Sequence, residues 1–153
     1  MTRTVAREIA VHMVFELSFG NRSARELLES TLTPECFAQL SLEEPLYTGF
    51  PDEAQQAYIR TLVTGTFDHG AELDDYISRY AVGWNFARIP RVASAIMRVA
   101  MYEVLYMPDV PNAAAINAAV EIAKGYESAE VVSFINGILG TFVRTECPEG
   151  SAE

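Results

Sequence analysis

The sequence predicts an all-α fold of about seven helices, and three observations carry that prediction. Apolar residues recur at spacings of three and four through most of the chain, the period of a single buried helix face. No segment alternates apolar and polar residues over a useful length, as a half-buried strand would. Glycine or proline closes most of the periodic stretches. With 153 residues, 50% of them hydrophobic and 21% charged, the chain can bury a proper core. Residues 1–145 read as one domain and 146–153 as a flexible C-terminal tail.

The first helix starts near residue 3, where Val5, Ala6, Ile9, Ala10, Met13, Val14 and Leu17 form one apolar stripe. Gly20-Asn21 ends it, and Ser23 caps a short second helix through Leu28. Residues 31–50 contain Pro34, Pro45 and Gly49, and predict a short helix followed by an irregular connector. Asp52 opens a long helix containing Ala57, Tyr58, Thr61, Leu62, Gly65 and Phe67. His69-Gly70 breaks it, and Glu72 to Tyr80 forms another.

Gly83-Trp84-Asn85 is a turn. From Pro90, the residues Val92, Ile96, Val99, Ala100, Val104 and Met107 mark a strongly amphipathic helix. Pro108-Asp109-Val110-Pro111 ends it, since proline cannot continue a helix. Asn112 is placed to cap the next helix, with Ile116, Val120 and Ala123 on its apolar side, and Gly125 stops it. The last helix spans about Ala129 to Arg144, with Val131, Phe134, Ile135, Ile138, Leu139 and Phe142 inward.

Eleven Lys and Arg against 21 Asp and Glu give a formal charge of −10. Such a chain is not built to coat DNA regardless of sequence, which depends on basic charge. The charge is unevenly spread. Residues 1–25 carry a net +2 and residues 81–125 a net +1, whereas residues 26–55 carry seven acids and no base. The two mildly basic stretches are therefore the candidate anion-facing surfaces. Two cysteines, Cys36 and Cys147, make no disulfide framework and suit a reducing cytoplasm. No signal-peptide core and no membrane-length apolar run is present in the sequence.

Catalytic motifs are scarce. The sequence has no phosphate loop, no nucleophile elbow and no paired-histidine zinc motif. His12, His69, Cys36 and Cys147 lack ligand spacing, so neither a metal nor any other cofactor is expected. Gly137-Ile138-Leu139-Gly140 matches a Gly-x-x-Gly clamp only in letters, because its middle residues are apolar and helical. Glu103, on the flank of an apolar stripe, needs donors; it is either a structural brace or an acid awaiting a partner. Asn117 and Asn136 are flanked by core residues, and either bridge helices or contact a ligand. Binding of single-stranded RNA needs a basic rim and exposed aromatic faces. Arg3 and Arg7, one turn apart, with Phe15 and Phe19 off the main stripe, offer both; the alternative is ordinary aromatic packing beside a solvated helix end.

The ordered set of motifs resembles the NusB transcription antitermination factors. It comprises Ala6-Arg7-Glu8-Ile9-Ala10, Tyr58 with Leu62-Val63-Thr64-Gly65, and Trp84. Ile96-Met97-Arg98-Val99-Ala100-Met101-Tyr102-Glu103 follows, then Asp109-Val110-Pro111, Ile116-Asn117 and Val120-Glu121-Ile122-Ala123-Lys124, and Phe134-Ile135-Asn136-Gly137-Ile138-Leu139 closes it. The resemblance covers nearly the whole chain. It implies a helical fold in two packed halves and a cytoplasmic factor that binds rather than catalyses. Its implied partners are boxA-type single-stranded RNA, the ribosomal protein NusE and the RNA polymerase antitermination complex, notably on ribosomal RNA operons.

Carried over residue by residue, the resemblance implies RNA contacts at Arg3, Arg7, Phe15, Glu130 and Phe134. It implies a protein-partner face at Val92, Ala93 and Ile96. The chain departs from the family pattern in losing charge. Thr4 and Val5 interrupt the arginine-rich N-terminus, and Phe15 replaces a tyrosine. Ala93 and Ser94 replace a charged pair, Ala118 a glutamate, and Gly140 an aspartate. These losses define the alternative: an interaction or scaffold protein of the same fold, with weak or lost RNA binding. Such a protein would serve as a scaffold or self-associate, with the apolar surface at Val92, Ala93 and Ile96 as the candidate homodimer face.

Overall fold

The computed structural model describes residues 1–148, and among the described residues there are eight α-helices, two short 3-10 turns and no strand. The chain divides into two helical units, Met1–Asp68 and one beginning at His69. The eight helices correspond one for one to the segments read as helical in the sequence, one more than the expected total of about seven.

The N-terminal unit holds α1 (Arg3–Leu17), α2 (Ala24–Thr31), α3 (Pro34–Leu40) and α4 (Glu53–Asp68). Thr2 caps α1, its hydroxyl accepting from the Val5 N–H at 3.1 Å. Gly20, with φ +77°, turns the chain after α1 through a backbone region that other L-residues resist. Ser23 and Glu26 form a reciprocal capping box on α2, and Thr33 caps α3 with Pro34 in its first turn. The stripe expected on α1 is buried and packs on α4, whose own buried face is Tyr58, Ile59, Leu62, Val63 and Thr66. Ala57, Thr61 and Phe67 lie on the exposed side of α4. Before α4, the 3-10 turn Pro45–Tyr47 buries Tyr47 against Phe37, with ring centroids 5.1 Å apart. The Tyr47 hydroxyl lies 2.9 Å from His12 Nδ1. Burial pushes the Tyr47 phenol up, so it keeps its proton in this contact.

The C-terminal unit holds α5 (Gly70–Tyr80), the 3-10 turn Phe86–Arg88, α6 (Arg91–Tyr106), α7 (Asn112–Lys124) and α8 (Ala129–Glu146). Helix α6 packs against α5, α7 and α8. Arg98 on α6 pairs with Asp74 on α5 at 2.5 Å, half-shielded from water. Further along the same helix pair, the Tyr106 hydroxyl donates to Glu72 at 2.7 Å, which pushes its pKa up to about 12. Between α5 and α8, the Glu146 carboxylate accepts from Arg79 at 3.2 Å and from the Tyr80 hydroxyl. Helix α8 therefore runs through Glu146, past the expected start of the tail at 146. Residues 149–153 of that tail lie outside the described residues. Asn112 does not cap α7: Pro111 occupies the cap position, and the Asn112 amide nitrogen is buried without a partner.

Two stability predictions follow from this packing. Gly137 lies exposed inside α8, and a Cβ there would meet nothing within 4 Å. Gly137→Ala therefore stabilises by about 1 kcal/mol, read as a rise in Tm of about 2–4 °C. His12 is different. Burial lowers its pKa below the ordinary value, against smaller opposing effects of Glu8 and Glu44. As pH falls below about 6.5, the unfolded chain takes up a proton that the folded chain refuses. The stability present above that pH is thus lost as the pH falls towards the folded pKa. Urea unfolding at pH of about 7.5 and 5.5 will show a smaller acid loss for His12→Gln than for the wild type.

Candidate nucleic-acid interface

In the N-terminal unit, two of the expected RNA contacts come together over a ring that connects α1 to α4. The Arg3 guanidinium carbon lies 4.0 Å from the Tyr58 ring centroid and that of Arg7 lies 5.9 Å from it. Both are within cation–π range. Arg3 is exposed, whereas Arg7 is only 8% exposed. One turn before Tyr58, Gln55 ties down the chain end. Its amide nitrogen donates to the Met1 carbonyl, while its Oε1 accepts from the Asp52 N–H at 2.9 Å. The Gln55 N–H in turn donates to Asp52 Oδ1 at 2.8 Å, closing a capping box at the start of α4. Helix α4 thus holds the start of α1 at two points, and two positive charges approach one aromatic ring. Phe15, also on α1, is half-buried and meets Phe19 edge-on at 5.2 Å; Phe19 is 50% exposed. Both keep part of their surface in water rather than filling the core.

In the C-terminal unit, Phe134 is half-buried rather than fully inward. It stacks on Trp84 with centroids 4.2 Å apart and planes 36° from parallel. The Trp84 loop continues into exposed Arg88 and Arg91. Glu130 is exposed in the first turn of α8, where the helix N-terminus favours a carboxylate, and Ser128 caps that turn.

Helices α7 and α8 leave an open groove of about 460 Å³, lined by Asn117, Val120, Lys124, Glu127, Ala129, Val132, Ser133 and Asn136. The expectation that Asn117 and Asn136 bridge helices is a correction. Both amides are exposed, and among the described residues neither has a hydrogen-bond partner. Burial raises the pKa of Glu127 at the loop end.

The protein-partner face is a correction. Ala93 is 0% and Ile96 1% exposed, and Val92 is half-buried. The apolar surface expected at 92–96 is therefore not open to a partner or a second copy, because that stretch of α6 is interior over most of its circumference. Glu103 is also 0% exposed, which gives a substrate no access to its carboxylate, and it is engaged by a polar partner. Among the described residues, no group of three His, Cys, Asp or Glu is placed to hold a metal ion. No described helix is long and apolar enough to cross a membrane. Two ring contacts escaped the sequence reading, Tyr58 beside the arginines and Trp84 against Phe134. Each lies about fifty residues from its partner, and nothing local signals the pairing.

Comparison with known proteins bears on the whole arrangement. The NusB family model matches residues 4–144. The transcription antitermination protein NusB of Carboxydothermus hydrogenoformans is 39% identical over 140 residues, covering 92% of this chain and 91% of that protein. That of Acetivibrio thermocellus is 37% identical over 146 residues, covering 95% and 91%. Among solved structures, T. maritima NusB superposes with a TM-score of 0.81 at 25% identity, covering 99% of this chain and 97% of that one. A chain from the crystal structure of a plectonemic RNA supercoil shares the fold at a TM-score of 0.74 and 19% identity, covering 95% and 96%. With its helices, its motif order and these relatives in agreement, the chain belongs to the NusB family of transcription antitermination factors.

Proposed function

We propose that the protein acts in antitermination by binding boxA-type single-stranded RNA together with the ribosomal protein NusE. It would thereby join the RNA polymerase antitermination complex on ribosomal RNA operons. The observation that carries this reading is the pair of arginines held over Tyr58 in a chain of net charge −10. The exposed Arg3 guanidinium on that ring offers a local phosphate site against the overall charge, with Arg7 largely buried beside it. Arginine suits that task, since its planar fork matches phosphate oxygens. The Trp84–Phe134 stack supplies the second requirement of single-stranded recognition, an aromatic face on which a base can stack. Both features act by binding, and neither needs a catalytic group.

Fluorescence anisotropy of a labelled boxA-type RNA, at two salt concentrations and with or without NusE, tests the proposal. Binding that weakens with salt and tightens with NusE supports it. No binding by the folded chain in either condition overturns it and leaves a family member with a different task. Arg3→Ala is a cleaner probe than a change at buried Arg7, and should lower the salt slope by about 0.7 for the one lost phosphate contact. Phe134→Ala should weaken binding by about 1–3 kcal/mol without changing that slope.

Tyr58 acts through the arginines, as a positioning residue. Tyr58→Phe keeps the ring face and should bind RNA like the wild type. Tyr58→Leu should lose affinity together with the ring-current shift on the Arg3 side-chain protons. Equal affinity for the phenylalanine and leucine variants would refute the positioning role and leave RNA binding itself untouched.

A further inference from the structure

Acidic residues are spread along most of the chain, but none occurs between Asp75 and Glu103, and no other stretch runs as long without one. Of the arginines in that stretch, two are held by acids. Arg79 pairs with Asp75 and Glu146, and Arg98 pairs with Asp74. Arg88 and Arg91 are both exposed. Arg91 makes a further contact, whereas the Arg88 side chain has no ion pair, hydrogen bond or ring contact among the described residues. Helix α6, which follows, has no acid in its first turn to compete for that charge.

Arg88 stands on a loop pinned at several points. Gly83, with φ +85°, turns the chain into Trp84, whose N–H donates to the Ala81 carbonyl at 3.1 Å. Asn85 Oδ1 accepts from the Ala87 N–H at 2.9 Å, and the Asn85 carbonyl accepts from the Arg88 N–H at 2.8 Å. Buried Ile89 anchors the end of the loop. The bond from Arg88 to Asn85 folds the chain back to the neighbour of Trp84, so guanidinium and indole start from one tight turn. Trp84 stacks on Phe134, and both rings stay half-exposed. Glu130, one turn before Phe134, is the acid closest to it in sequence and makes no ion pair among the described residues.

An unpaired guanidinium beside an aromatic stack, in a chain of net charge −10, matches a ligand that offers a phosphate and a base together. Single-stranded RNA does so at every nucleotide, because each base is flanked by phosphodiesters. A duplex hides its base faces, and an acidic peptide has none. We propose that Arg88 contacts the phosphate next to the base stacked at Trp84–Phe134. The C-terminal unit then carries a phosphate contact of its own, in addition to the arginines on α1. The proposal rests on the RNA-binding reading above and adds to it a second point at which the RNA backbone is held.

The test uses the full chain, the variants Arg88→Ala, Arg88→Lys and Arg144→Ala, and a boxA-type RNA in which each linkage in turn is a neutral methylphosphonate. Arg144→Ala is the control: it removes the same charge from an exposed site ten residues beyond Phe134, about 15 Å along α8. The Arg88 side chain holds nothing in place, so its variants fold. Arg88→Ala should weaken binding by about three- to tenfold at low salt and lower the salt slope by about 0.7, while Arg88→Lys and Arg144→Ala keep the slope. One neutral linkage should penalise the wild type and leave Arg88→Ala almost unaffected, the mark of two groups in contact. That linkage should flank the nucleotide whose base, when removed, no longer matters to Phe134→Ala. Equal effects of Arg88→Ala and Arg144→Ala, or equal penalties in wild type and Arg88→Ala at every neutral linkage, overturn the proposal while RNA binding stands. Normal RNA binding by Arg88→Ala with weaker recruitment of NusE would assign the loop to protein and overturn it as well. Absence of RNA binding by the wild type would remove the RNA-binding reading and this proposal together.

Discussion

The C-terminal unit depends on the burial of α6. Residues 93–97 are buried without a break, and Val99, Ala100, Met101 and Glu103 follow them inside. A helix enclosed on nearly all sides must satisfy its neighbours in several directions at once, and α5, α7 and α8 all pack against it. The small side chains Ala93, Ser94 and Ala95 let those neighbours approach. Where α6 emerges, polar ties take over: Arg98 reaches Asp74 and Tyr106 reaches Glu72, so α5 is held along the length of α6. The position of α8, and with it Phe134 and one wall of the groove, follows from this central helix.

The same enclosure closes the partner face expected at 92–96. A stripe of apolar residues at helical spacing shows that one side of a helix is buried, but not whether the flanks are buried too. Alanine and serine are the ambiguous cases, being small enough for either a surface or a tight interior contact. On α1 and α8 the flanks carry arginine, glutamate and asparagine, and the buried face could be read directly. On α6 the flank residues are Ala93 and Ser94. Both are interior in this chain, so the absence of a charged pair there says little about docking.

Helix class, order and most boundaries were readable because each depends on local chemistry: a Ser or Thr cap, a proline, a glycine with positive φ, a period of 3.6. The individual arginines and phenylalanines of the candidate site were readable too. Their environment was not. Tyr58 lies under Arg3 because α4 returns along α1, and Trp84 meets Phe134 because the loop after α5 is brought to the start of α8. Asn117 and Asn136 looked like core bridges since apolar neighbours in sequence surround both. On a helix, however, sequence neighbours point about 100° away, and these two amides point to water.

In an acidic chain, affinity for RNA has to come from geometry more than from quantity of charge. Long-range attraction at −10 is unfavourable, and beyond roughly 8–10 Å salt screens what attraction two arginines can supply. On the proposed reading, Arg3 and Arg7 on Tyr58 would lessen that handicap by being ordered beforehand: the ring and the Gln55–Met1 bond restrict the arm, which would reduce the entropy lost on binding. Stacking on Trp84 and Phe134 is uncharged and largely indifferent to salt. An RNA-binding protein built this way would give up the broad, sequence-blind attraction of a basic surface. The remaining contacts are short-ranged, so a nucleic acid without the right single-stranded shape gains little from any of them.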